Sequence, residues 1–365
     1  MTRKFYLIIT LAAIAPIFYL GQRTQAVSAQ AERPRTSAAA TPSPTPAATP
    51  PKLKDDDDQI VKVDTELVNL NVRVIDRNNR PINGLQKSDF KVFEEGNEQP
   101  IEFFSRSEVP TNYSLVLDNS GSLRQQLEKV IEAGKILVNG NKPEDETSVI
   151  RFISRDKITV EQPFTANKGD LNDTLDNLYI EGGQTAVIDA VYLAVQQLQE
   201  YEKSDKADDR KRRAIVLVSD GEDRDSYFTE PQLMELLKES DVQIFVIGFV
   251  GDLQKEGGFI SKSPQEKAKS FLERMATVTG GKSYFPTSVG DLPGIAKDLS
   301  SELRIQYSIG YLPSNDASAG KFRNIKVMVG DGPNKEKRIA ITKSGRNTGP
   351  GPTPSTSQTP SKSNK

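Results

Sequence analysis

Between residues 113 and about 302 the chain alternates short apolar runs with longer amphipathic stretches, and this alternation constrains the fold more than any other property. The runs at 114–118, 148–153, 214–219 and 242–249 are nearly continuous in apolar residues, as strands covered on both faces must be. Helical spacing follows at 123–138, 171–178, 186–201, 231–239, 265–278 and 292–303, with a short strand pattern at 283–285. Strand-helix alternation of this kind predicts an α/β fold, a doubly wound and mostly parallel sheet with helices on both faces. In such sheets ligands sit outside the carboxyl ends of the strands.

Two of the runs end on carboxylates at those ends. Tyr113-Ser114-Leu115-Val116-Leu117-Asp118-Asn119-Ser120-Gly121-Ser122 stops in an acidic, hydroxyl-rich turn. In an extended loop Asp118, Ser120 and Ser122 alternate, so one carboxylate and two hydroxyls can converge on a point above the strand. Oxygen donors without thiolate or imidazole suit Mg²⁺, Mn²⁺ or Ca²⁺. Alone, Asp118-Asn119-Ser120 reads equally well as a helix N-cap. Two later stretches add to it: Gly182-Gly183-Gln184-Thr185-Ala186 opens a helix with a hydroxyl, and Ala214-Ile215-Val216-Leu217-Val218-Ser219-Asp220-Gly221 is a second strand ending on a carboxylate.

The set D-x-S-x-S, then Thr, then S-D-G resembles the metal-ion-dependent adhesion site of von Willebrand factor type A domains. Carried over position by position, the resemblance implies Asp118, Ser120, Ser122, Thr185 and Asp220 as ligands of Mg²⁺ or Mn²⁺, with Ca²⁺ as an alternative. It also implies a Rossmann-like type A domain over 109–303. The protein is then expected to be a recognition or adhesion module, not an enzyme, whose cation captures an exposed Asp or Glu carboxylate of a protein partner. Asp189 and Asp223, close to the set in sequence, are expected to have ordinary helix or loop roles. The alternatives are a scaffold of the cell envelope with a dispensable metal and a metal-assisted hydrolase.

Composition narrows the chemistry. The 365 residues include no histidine, cysteine or tryptophan. A Ser-His-Asp triad, a histidine-ligated zinc site and thiol catalysis are therefore excluded. With 48 basic against 50 acidic residues, no global field favours nucleic acid or an acidic membrane surface. Ser154-Arg155-Asp156-Lys157 has the S-x-x-K spacing of serine-lysine acyl enzymes, but no S-D-N or K-T-G accompanies it. The mixed charges of 203–213 suggest a solvated connection.

Flanking segments complete the plan. Residues 1–29 read as a signal peptide, with basic Arg3 and Lys4, an apolar run over 5–20 and a small-residue exit. Pro16 and that exit favour cleavage over a retained membrane anchor, so the protein is expected to be exported, periplasmic or extracellular. Residues 30–58 form a Pro/Ala/Thr-rich linker ending in Asp55-Asp56-Asp57-Asp58. Alternating patterns over 59–108 and again over 304–343 predict β strands, too few on either side to hide an apolar face alone. They are expected to pair into one sandwich into which the α/β domain is inserted. The first of these segments resembles the leader of bacterial secreted proteins related to von Willebrand factor type A, of acidobacterial type. From 344 the Gly, Pro, Ser and Thr content predicts a disordered tail to 365.

Overall fold

The computed structural model describes residues 67–106, 109–201, 211–255, 262–314 and 321–348. The expected signal peptide, the linker and the acidic run at 55–58 lie outside the described residues. In chain order the elements are β1 (Val68–Ile75), β2 (Phe90–Glu94), β3 (Asn97–Gln99), β4 (Ile101–Ser105), β5 (Thr111–Asp118), α1 (Leu127–Asn139), β6 (Glu146–Phe152), β7 (Ile158–Thr165), α2 (Lys168–Asp176) and α3 (Val187–Tyr201). They continue with β8 (Arg212–Ser219), α4 (Glu230–Glu239), β9 (Gln243–Gly248), α5 (Pro264–Thr279), β10 (Ser283–Tyr284), α6 (Leu292–Arg304), β11 (Tyr307–Tyr311), β12 (Lys321–Val329), β13 (Ile339–Ile341) and β14 (Gly345–Thr348).

The central sheet has the order β10-β9-β8-β5-β6-β7. All its pairings are parallel except that of the edge strand β7 with β6. Each central strand is apolar on both sides because each side meets helices. Leu115 and Leu117 of β5, with Val216 and Val218 of β8, pack under α1, α2 and α6 through Val130, Leu137, Leu175, Leu292 and Leu299. Val116, Ile215 and Leu217 face the opposite way, against α3, α4 and α5 through Val191, Val195, Leu233, Phe271 and Met275. The chain winds outward from β5 to β6 and then returns to place β8 on the other side of β5. The order therefore reverses between β5 and β8, and a crevice opens there at the carboxyl ends.

The flanking strands form the expected sandwich. One sheet is β13-β1-β11-β4 and the other β14-β12-β2-β3, so strands from before and after the α/β domain alternate in the first and meet at the β12–β2 pairing in the second. Their inner faces share Leu70, Val72, Phe90, Val92, Tyr307, Ile309, Tyr311, Ile325 and Val327. Residues 345–348, expected in the disordered tail, instead make β14, and the reason is electrostatic. Glu94 is 2% exposed and accepts a hydrogen bond from the Tyr311 hydroxyl (2.7 Å) and another from Arg346 Nη2 (3.1 Å). Without Arg346 the carboxylate would lose its hydrogen-bonding cation, and Arg323 Nη1, at 3.6 Å, would be its remaining basic neighbour. β7 is a second departure: Glu161 and Pro163 interrupt its pattern, and an edge strand tolerates both.

A third departure is Arg212, expected in the solvated connection. It is the first residue of β8 and 4% exposed. Its guanidinium donates to the Leu303 and Arg304 carbonyls at the end of α6 and to that of Gln306 (3.4, 3.1 and 3.1 Å). Helix-terminal carbonyls such as that of Leu303 have no partner within the helix, and the guanidinium supplies one. Burial pushes the guanidinium down to about 10.

Sandwich and α/β layers are joined by a buried ion pair. Arg73 of β1 donates Nη1 to Glu302 Oε2 of α6 at 2.7 Å, with both side chains at most 3% exposed. Nη2 reaches the Gly281 carbonyl (2.7 Å), and Lys282 pairs with the other Glu302 oxygen at 2.9 Å. Removing one partner strands the other as a buried charge. Glu302→Ala is expected to cost about 3–5 kcal/mol in urea unfolding, and the double change Arg73→Met/Glu302→Leu should recover most of it. A single-mutant loss below about 1 kcal/mol would mean that the pair contributes little.

Candidate metal-binding crevice

The crevice between β5 and β8 holds four of the five expected ligand side chains in buried positions: Asp118 (3% exposed), Ser120 (2%), Thr185 (6%) and Asp220 (3%). Ser122 is exposed. β5 ends at Asp118, and the chain turns through a short 3-10 segment, Gly121–Leu123, before α1 starts. The turn is shaped by the aspartate itself, because Asp118 Oδ1 accepts from the Ser120 backbone N–H at 2.9 Å. The hydroxyls of Ser120 and Ser122 lie 2.8 Å apart. That spacing brings the two hydroxyls of the D-x-S-x-S stretch together beside the end of β5.

Asp118 Oδ2 accepts from the Ser219 hydroxyl at 2.8 Å. This hydrogen bond crosses the switch point and fixes the end of β5 against the end of β8. Ser219 also accepts from the Gly221 N–H (3.0 Å), and Asp220 Oδ1 accepts from Glu222 N–H (2.9 Å). The sequence reading assigned Ser219 no role, although it stands inside the S-D-G triplet. Gly221 has φ +78°, and a Cβ there would lie 2.8 Å from Leu272 Cδ1 and 3.2 Å from the Ala268 carbonyl. Only glycine meets both demands.

Thr185 is brought in by its backbone. Its carbonyl accepts from Arg224 and Asp225 N–H (2.8 and 3.1 Å), binding the start of α3 to the loop after β8. Upstream, Asn119 Nδ2 donates to the Tyr179 carbonyl (2.7 Å), and Glu181 N–H donates to the Asn119 carbonyl (3.0 Å). The tight passage at Gly183 follows, where a Cβ would meet Ile153 Cγ2 at 2.4 Å. Asp189 and Asp223 have the loop roles expected of them. Asp189 accepts from Tyr227 and Phe228 N–H (2.7 and 2.9 Å), and Asp223 accepts from Ile188 N–H (3.0 Å) and the Ser226 hydroxyl (2.6 Å). Lys157 of the S-x-x-K match pairs with Glu181.

The donor set fits a hard cation. Two buried carboxylates stand at the ends of adjacent strands, and among the described residues neither forms an ion pair with a basic side chain. Burial first, and then the charge of Asp220, push the Asp118 carboxyl up to about 6, against hydrogen bonds from Ser120 and Ser219 that pull it down. No group of three or more His, Cys, Asp or Glu is placed to hold a metal among the described residues. A cation here would rest on two carboxylates and three hydroxyls, a set that keeps positions open for water or a ligand.

A doubly wound sheet with a carboxylate-and-hydroxyl crevice at its switch point defines the class. The von Willebrand factor type A domain family model matches residues 114–298, and the chain belongs to that family, whose domains are protein-interaction modules that commonly hold a divalent metal. An uncharacterized protein of Synechocystis sp. is 34% identical over 115 residues, 31% of this chain; the chain spans only about a quarter (26%) of that relative. Among solved structures, a von Willebrand factor type A protein from Catenulispora acidiphila is 11% identical over 71% of this chain and 75% of its own, with a TM-score of 0.44. BatB from Bacteroides thetaiotaomicron is 19% identical over 53% of this chain and 98% of its own, with a TM-score of 0.40. Proximal thread matrix protein 1 of the mussel byssus, with a zinc-occupied MIDAS motif, is 18% identical over 57% of this chain and 49% of its own (TM-score 0.41). Likenesses of this size carry no functional argument.

In the metal-free protein the raised Asp118 carboxyl works against folding once ionised. Relative to the unfolded chain (3.8), the folded state holds this proton more tightly. Its contribution is therefore present below pH 4 and lost as pH rises through about 6. In EDTA, Asp118→Asn should flatten the fall in melting temperature across pH 4–6. An unchanged slope would place the titration elsewhere. Gly221→Ala should lower stability by about 1–3 kcal/mol, read from the same melts.

Proposed function

We propose that this protein is an exported, metal-dependent recognition module that captures an acidic residue of a partner protein. The observation that carries the reading is the pair of buried carboxylates, Asp118 and Asp220, neither ion-paired to a basic side chain among the described residues, at a crevice that also holds Ser120, Ser122 and Thr185. Mg²⁺ or Mn²⁺, with Ca²⁺ as the alternative, would be held by these five residues. When bound, the cation supplies a positive, oxygen-seeking centre for a carboxylate. Ser219 and the Ser120 backbone fix the Asp118 carboxylate from outside the set, so its orientation precedes binding.

The protein acts by binding and not by catalysis in this reading. The chain has no histidine or cysteine to serve as base or nucleophile, and Lys157 of the S-x-x-K match is committed to Glu181. Export is supported by the basic and apolar pattern of residues 1–29, which points to the periplasm or the outside. No helix among the described residues is long and apolar enough to cross a membrane.

Asp118→Ala should abolish the heat of Mg²⁺ or Mn²⁺ binding in calorimetry while the circular dichroism spectrum stays that of the parent. Parent-like heats would sink the ligand assignment. Leu117→Ala, one residue earlier and 3% exposed, should do the reverse: it retains metal binding and costs about 2–5 kcal/mol of stability through its cavity.

A further inference from the structure

A cavity of about 580 Å³ lies against the loop that carries Asp220, outside the metal set. One wall is the stretch 221–224. The other is the face of α5 presented by Pro264, Lys267 and Phe271. The two walls meet at Gly221, whose missing side chain lets the loop lie against Leu272. The groove therefore starts one residue from Asp220. Its volume is that of an ordinary ligand site, about 300–1,000 Å³. From Pro264 to Phe271 the helix rises about 10 Å at roughly 1.5 Å per residue, the length of about three extended residues.

Its charges are unevenly satisfied. Glu222 is paired with Arg224, and Glu230 with Arg274. Asp223 is committed to the Ile188 N–H and the Ser226 hydroxyl. Lys262 and Lys267 are exposed and form no ion pair among the described residues; Lys262 reaches only the Ser270 hydroxyl, at 3.2 Å. Beneath them Ile188, Pro264 and Phe271 supply an apolar floor. Four basic residues against three acidic ones line the groove, so it carries a small net positive charge, concentrated on these two lysines at its rim, over an apolar base, and it runs away from a site suited to a carboxylate.

We infer that the groove receives an extended acidic segment of the partner protein, continuous with the residue that the metal set captures. This rests on the proposed metal-dependent reading. In it, one Asp or Glu of the segment enters the crevice. An apolar residue then lies on Phe271, and a further acidic residue two or three positions along meets Lys267 and Lys262. The lysines act as specificity-determining residues: they select which acidic residue, among the many exposed on any protein, is captured.

The test is selection of a displayed library of random octapeptides, each with one fixed Asp, on the full chain in Mg²⁺. Parallel selections use Lys262→Gln/Lys267→Gln and Asp118→Ala. The expected outcome is enrichment of a second acidic residue on one side of the fixed Asp for the parent, and loss of that preference for the lysine variant. The best parent peptide, resynthesised, should bind the lysine variant at least tenfold more weakly, with melting temperature and Mg²⁺ heat unchanged. The same acidic preference in both selections, or equal affinity, overturns the groove while leaving the metal site standing. Enrichment that survives Asp118→Ala and EDTA overturns instead the metal-dependent reading beneath it.

Discussion

The contact on which the architecture depends is the ion pair of Arg73 with Glu302, sealed between two modules and shared with Lys282 and the Gly281 carbonyl. A charge removed from water costs several kcal/mol unless its partners are placed well. Here they are placed by three separate stretches of chain: a sandwich strand, the last helix of the α/β layer, and the turn into β10. The pair therefore forms only when the sandwich and the α/β layers adopt one particular arrangement. Arg212 extends the same logic, tying the end of α6 to the start of β8.

Much of the fold was legible because two-sided burial leaves a plain mark. Strands β5, β8 and β9 each carry a nearly continuous apolar run, and the helices between them keep their period. The proposed metal set was legible for a different reason: Asp118, Ser120 and Ser122 stand within five residues of one another, and the S-D-G triplet marks the second strand end. The sandwich could be inferred from what the flanking strands lack, a partner for their apolar faces.

What escaped the sequence depended on distant pairing. Arg346 reads as part of a polar tail until Glu94, some 250 residues earlier, is seen buried beside it. Arg212 sits at the end of a mixed-charge run whose other residues gave no reason to bury it. β7, with Glu161 and Pro163, has the composition of a loop and becomes a strand by pairing with β6. Ser219 was visible as a letter, but its hydrogen bond to Asp118 exists only once the strand order is known. In each case the deciding energy is a contact across the fold, which no local window contains.

The insertion of the α/β domain also bears on how the chain reaches this state. Strands β4 and β11, through which the chain enters and leaves that domain, are direct neighbours, with Ser105 opposite Ser308. To the sandwich, the whole domain is a loop of roughly two hundred residues between adjacent strands. Closing so long a loop while it is unfolded is entropically costly, and such non-local pairing is slow. Once the α/β domain has folded on its own nearer contacts, it holds the two ends side by side and the closure is already made. The folded insert thus supplies the closure on which the β4–β11 pairing depends. During synthesis the apolar face of β1 must wait for β11, more than two hundred residues further along the chain.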